Sequence, residues 1–123
     1  MTKFQPDGWH TVTPRIVVPD PAGLVRFLKQ VFRAQGDLRP HGPAEIRIGD
    51  SVVMISDGDG LRDPTPAFLY VYVDDTDATY RRAIAAGALS MEKPADTPYG
   101  DRRAMVRDAW GNSWQIATFQ HRP

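Results

Sequence analysis

The 123-residue sequence contains no cysteine. Disulfides within the chain, a thiolate nucleophile and a zinc ribbon are therefore excluded. Net charge is missing too: 15 Lys and Arg balance 15 Asp and Glu, so no global field draws the molecule to a polyanion, and nucleic acid is not an expected partner. Any electrostatic preference has to be local. Long hydrophobic runs are also absent. Met1 is followed by polar Thr2, Lys3, Gln5 and Asp7, which form neither a signal-peptide core nor a membrane span, and a cytoplasmic protein without a membrane partner is expected. What the chain does hold is material for a core. It is 41% hydrophobic against 24% charged, too apolar for a disordered chain, and its length suits one domain over residues 1–123.

Local grammar divides that domain into two modules, at about 10–57 and 67–119. Val12 to Val18 (VTPRIVV) is short and β-branched and predicts a strand. Asp20 then offers an N-cap and Pro21 a first helical residue. Leu24, Phe27, Leu28, Val31 and Phe32 recur at helical spacing, which predicts a helix over Pro21 to Ala34. Strands follow over Glu45 to Gly49 and Ser51 to Asp57, with one more expected between Gly36 and Pro40, and a Gly/Pro loop runs to Pro66. The pattern then repeats. Phe68 to Val73 is a strand, Asp74 to Asp77 supply caps, Tyr80 to Ala86 continue as helix, and Gly87 stops it. Leu89 to Glu92 predicts a strand and Lys93 to Asp101 a loop. Arg102 to Asp108 and Asn112 to Phe119 are strands about the turn Asp108-Ala109-Trp110-Gly111. VVPD (Val17 to Asp20) is echoed by YVDD (Tyr72 to Asp75), so the expected class is α+β with paired β-α-β-β-β modules.

Because strand side chains alternate, each strand sorts into two faces. One carries Ile16, Ile46, Val53, Ile55, Leu69, Val71, Val106, Trp114 and Ile116, and must pack beneath the helices. The other carries Arg15, Arg47, Met54, Phe68, Tyr70, Tyr72, Arg103, Met105, Arg107 and Gln115. Open water does not call for Met, Phe and Tyr, so that face is expected to be covered. A small-molecule pocket and a subunit interface both fit its composition. Four arginines against Glu45 alone predict a preference for an anionic group, which a guanidinium fork binds bidentately.

The segments PDGWHTVTPRIVVPD (Pro6 to Asp20), RIGDSVVMISD (Arg47 to Asp57), YVDDTDATYRRAIAAGA (Tyr72 to Ala88) and YGDRRAMVRDAWGNSWQIAT (Tyr99 to Thr118) resemble the glyoxalase/bleomycin-resistance/extradiol-dioxygenase superfamily, the vicinal oxygen chelate proteins. They are most similar to a small bacterial branch related to proteins found beside phosphonate-metabolism genes. The resemblance implies a curved, cup-shaped mixed sheet and a homodimer. Metal-dependent members carry His or Glu at four inward positions, which here correspond to Thr13, Met54, Phe68 and Gln115. Apolar Met54 and Phe68 stand where an ion needs donors, so no metal and no cofactor are expected. In DAWGN (Asp108 to Asn112) Ala109 replaces the family's usual Pro, which puts the rigidity of that turn in question.

The expected ligand-binding residues are Arg15, Arg47, Phe68, Tyr70, Tyr72, Tyr99, Arg103 and Gln115. The rings would stack on a planar ligand and the phenols orient it. His10, His41 and His121 share no ligand spacing, and Glu45 beside arginines reads as an ion-pair partner. No catalytic residue is assigned. The function these readings favour is metal-free holding or sequestration of a small anionic or aromatic metabolite or drug; the alternative is a metal-dependent or Arg-assisted lyase, isomerase or dioxygenase-type enzyme of the same superfamily.

Overall fold

The computed structural model describes residues 3–120, so His121 lies outside the described residues. The chain forms two compact units, Met1–Thr65 and Pro66–Pro123. Each combines a mixed sheet with one helix, giving the α+β class.

In the first unit, β1 (Arg15–Val17) leads to α1 (Pro21–Phe32), and β2 (Ala44–Ile48) and β3 (Ser51–Ser56) follow. Asp20 caps α1 by accepting from the Gly23 N–H, Pro21 fills the first turn, and Arg33 closes the helix in a left-handed conformation. The predicted spacing is what is buried: Leu24, Phe27, Leu28, Val31 and Phe32 all face inward. β3 is central, with β1 parallel on one side and β2 antiparallel on the other. Two expectations are corrected. The first strand is shorter than Val12 to Val18, because Pro14 lacks an N–H for the ladder and Val12 is 82% exposed. The strand expected between Gly36 and Pro40 does not form, and the adjacent pairing is a single bridge just before it, Gln35 to Arg47. That segment has one large apolar residue, Leu38, which is half exposed, while Asp37 and Arg39 are turned to Lys29 and Glu45. With no face to bury, pairing has little to stabilise it.

In the second unit β4 (Phe68–Tyr72), α2 (Thr76–Ala85), β5 (Leu89–Asp96), β6 (Asp101–Arg107) and β7 (Ser113–Phe119) form a sheet of order β4-β7-β6-β5. Asp75 caps α2 by accepting from Ala78 N–H. The loop expected from Lys93 is corrected: β5 continues through Lys93 and Pro94 to Asp96, with register shifts on the way. Pro is tolerated because β5 is an edge strand, where a missing N–H breaks no ladder. Ala104, Val106, Trp114 and Ile116 are buried on the helix side, as alternation requires.

The Asp108–Gly111 turn is held without proline. The buried Asp108 carboxylate accepts from Trp110 N, Asn112 N, Asn112 Nδ2 and Trp114 Nε1, at 2.9 to 3.0 Å. Asn112 Oδ1 in turn accepts from Ala67 N–H, and Gly111 takes the positive φ of 87°. Four donors converging on one carboxylate supply the rigidity that Ala109 does not.

Candidate functional site

The open face of the second sheet can be built row by row from its register. Tyr70 lies opposite Gln115, which lies opposite Met105, which lies opposite Glu92. In the next row come Tyr72, Ala117 and Arg103. Phe68, Ser113 and Arg107 make the row on the other side. Six of the eight expected ligand-binding residues, Phe68, Tyr70, Tyr72, Tyr99, Arg103 and Gln115, are therefore brought to this face or its edge. Phe68 is 66% exposed and Tyr72 53%, a large apolar exposure for a strand.

The rings are not free to turn. Asp101, with 0% exposure, lies two residues before Arg103 and so on the same face of β6. Its Oδ2 accepts from Tyr70 Oη at 2.6 Å and from Tyr72 Oη at 2.8 Å. Both phenols reach it across β7, on which the small, buried Ala117 lies opposite Tyr72 and Phe119 lies opposite Asp101. The two rings meet edge to face, 5.4 Å between centroids. Tyr99 Oη lies 3.0 Å from Tyr70 Oη, and Arg103 Nη1 donates to Tyr99 Oη at 2.9 Å. Since the single Tyr70 proton goes to Asp101, Tyr99 is the donor to Tyr70. The result is a directed chain: Arg103 to Tyr99 to Tyr70 to Asp101.

Burial first, and the Asp101 hydrogen bond second, push the Tyr70 phenol far above its ordinary value. Tyr99 moves the other way. Once ionised, its oxygen can accept from Tyr70 and from the Arg103 guanidinium, and these bonds, Tyr70 first, draw it below that value. Arg103 also approaches Glu92 Oε1 at 3.4 Å.

Asp101 and Glu92 change the charge expected for this face. Arg103 and Arg107 are matched by two carboxylates, so in this unit the basic excess anticipated from the arginines cancels. Stepping back along β6 by two from Arg103 would have found Asp101 in the sequence. Placing Lys93 to Asp101 in a loop hid it.

Arg15 and Arg47 are carried by the first unit. Arg15 is exposed on β1 opposite Met54, and Arg47 Nη1 donates to the Gly8 carbonyl at 3.2 Å. Glu45 pairs with Arg39 at 2.6 Å. His10 and His41 are exposed.

The four positions corresponding to the family's metal ligands do not fit a divalent ion. Thr13 and Met54 belong to the first unit and Phe68 and Gln115 to the second, and together they offer a hydroxyl, a thioether, a hydrocarbon ring and a neutral amide. Among the described residues no group of three or more His, Asp or Glu is placed to hold a metal. A surface cleft of about 420 Å³ at the start of α2 is lined by Asp74, Asp75, Asp77, Arg81 and Arg102. Its charges answer one another: Arg102 donates to Asp77 at 2.8 and 3.2 Å and holds that carboxyl below its usual range. Among the described residues no helix is long and apolar enough to cross a membrane.

Comparison with known proteins agrees with this architecture. The family model "Glyoxalase/Bleomycin resistance protein/Dioxygenase superfamily" matches residues 9–116. The uncharacterized protein Mb0911c of Mycobacterium bovis is 31% identical over 122 residues, covering 85% of this chain and 80% of its own. Among solved structures, TioX from Micromonospora sp. ML1 superimposes with a TM-score of 0.76 at 26% identity, covering 89% of this chain and 98% of its own. A glyoxalase/bleomycin resistance protein/dioxygenase family enzyme from Burkholderia phytofirmans PsJN gives 0.72 at 22% identity, with 87% and 96% covered, a likeness of fold.

Proposed function

The chain belongs to the glyoxalase/bleomycin resistance protein/dioxygenase superfamily, and from that premise we propose that it is a metal-free binding protein that holds a small planar metabolite or drug on the aromatic face of its second sheet. One observation carries this reading: Tyr70 and Tyr72, exposed rings that water alone would not favour, are fixed in place by a buried carboxylate. Ordering the rings before binding lowers the entropic cost of stacking a ligand on them. Phe68 adds a third ring on the same face, where a metal-dependent relative would carry a ligand atom.

The aromatic half of the expected ligand class is better supported than the anionic half, because the charges near Arg103 cancel. In the first unit, taken by itself, Arg15 and Arg47 are proposed to bind an anionic group. A thermal-shift panel tests the whole reading. Planar aromatic compounds should raise the melting temperature more than any divalent ion does; a larger rise with nickel, zinc, manganese or iron refutes it. Stoichiometric metal in protein purified without added metal would do the same. Unchanged affinity of every anionic ligand for Arg15→Ala would remove the arginine anchors.

A second reading, an Arg-assisted enzyme, draws on Tyr99. An exposed phenol made more acidic beside a guanidinium is a group able to exchange a proton with a bound substrate. Turnover lost in Tyr99→Phe with ligand affinity kept would favour it. A homodimer is proposed on the family's architecture, with sedimentation as its test.

A further inference from the structure

Among the described residues the phenols of the aromatic face are engaged with one another, while Gln115, Ser113 and Arg107 make no side-chain hydrogen bond and Arg103 Nε has no partner. Tyr70 and Tyr72 both donate to Asp101, Tyr99 donates to Tyr70, and Arg103 donates to Tyr99 while facing Glu92. None of the three phenols has a proton left for a ligand. Gln115 differs. Among the described residues nothing bonds to its side-chain amide, and that amide is not sealed from solvent. Its place is central: Tyr70 is its partner on one side, Met105 on the other, and Phe68 stands on the diagonal.

A carboxamide presents an acceptor and a donor side by side in one plane. The complementary edge has N–H beside C=O, and two parallel hydrogen bonds then form, as when glutamine reads a base edge. The rings of Tyr70 and Phe68, both on the β4 side of Gln115, supply the stacking surface for the rest of such a molecule. We propose that Gln115 determines the specificity of this face and that its ligand is a planar heterocycle with a cis-lactam edge, a statement that rests on the aromatic binding reading given above. A carboxylate has no donor for the Gln115 oxygen, and methylating the lactam nitrogen removes the donor while keeping the ring.

Three probes with similar bicyclic ring systems test this by calorimetry on the whole chain: isocarbostyril, N-methylisocarbostyril and naphthoate. The expected result is that isocarbostyril binds at least about tenfold more tightly than its N-methyl derivative, the size of one well-formed hydrogen bond. In Gln115→Leu the two should bind within about twofold of each other. Gln115→Glu, which keeps the acceptor but loses the donor to the ring carbonyl, should weaken binding of both lactams while the N–H form stays the tighter of the two. Equal binding of the two lactams to the natural chain, or a preference that survives in Gln115→Leu, overturns the assignment. Tightest binding by naphthoate, lost in Arg103→Ala, overturns the lactam class but leaves the aromatic site standing. If none of the three binds and Phe68→Ala instead dissociates a dimer, a second copy covers the face, and both this inference and the reading beneath it fall.

Discussion

Tyr70 and Asp101 are joined across an intervening strand: the phenol on β4 reaches over β7 and donates to the carboxylate on β6 at 2.6 Å. Ala117, one row from Tyr70 and one from Asp101 on the same face of β7, adds no more than a methyl group to that crossing. It fixes a ring that the sheet's alternation alone would leave to rotate.

Ala117→Leu should therefore place a branched side chain where the phenols cross. Overpacking a buried site of this kind costs about 1–3 kcal/mol. Chemical denaturation would show that loss, and the Tyr70 phenol should return toward ordinary acidity in the variant. A chain that keeps its stability and its Tyr70 titration shows that the crossing does not depend on Ala117.

Phenol titration, followed by the near-ultraviolet absorbance of tyrosinate, should resolve the four tyrosines into unequal steps. One step falls below the ordinary phenol range and disappears in Tyr99→Phe; another lies far above it and disappears in Tyr70→Phe. The signs for stability follow from linkage. Tyr70, raised on folding, contributes stability that is complete below the ordinary phenol value and is lost as pH climbs through its folded value. Tyr99, lowered on folding, contributes above the ordinary value, and that contribution fades as pH drops through its folded value. A single titration step for all tyrosines would contradict the hydrogen-bonded chain.

Asp101→Asn keeps the shape but replaces one carboxylate oxygen with an amide nitrogen. The rings should loosen, with a stability loss of about 1–3 kcal/mol by denaturant titration. Affinity for planar ligands should fall by about tenfold, since ring order must then be established on binding. Equal affinity in the variant would mean that the carboxylate serves folding alone.

Asp108→Ala should be the most damaging of these substitutions. It strands the buried donors of Asn112 and Trp114 and frees the β6–β7 turn, at a cost of about 3 kcal/mol or more. Thermal unfolding would measure it, and a small change would show that the turn is held by its backbone.

The sequence by itself determined the α+β class, both helices with their N-caps, and the buried face of β1, β2, β6 and β7 apart from Ala117, because these depend on spacing and on short-range hydrogen bonds. It also brought Phe68, Tyr70, Tyr72, Arg103 and Gln115 to one face, since period-two alternation needs no tertiary knowledge. Only the tertiary structure decided that β5 runs on through Pro94, since an edge position becomes known when the strand order is known. The same holds for the Asp101 carboxylate. Its partners Tyr70 and Tyr72 are about thirty residues away along the chain and two strands away in space, and no local pattern encodes a hydrogen bond that depends on strand order and register.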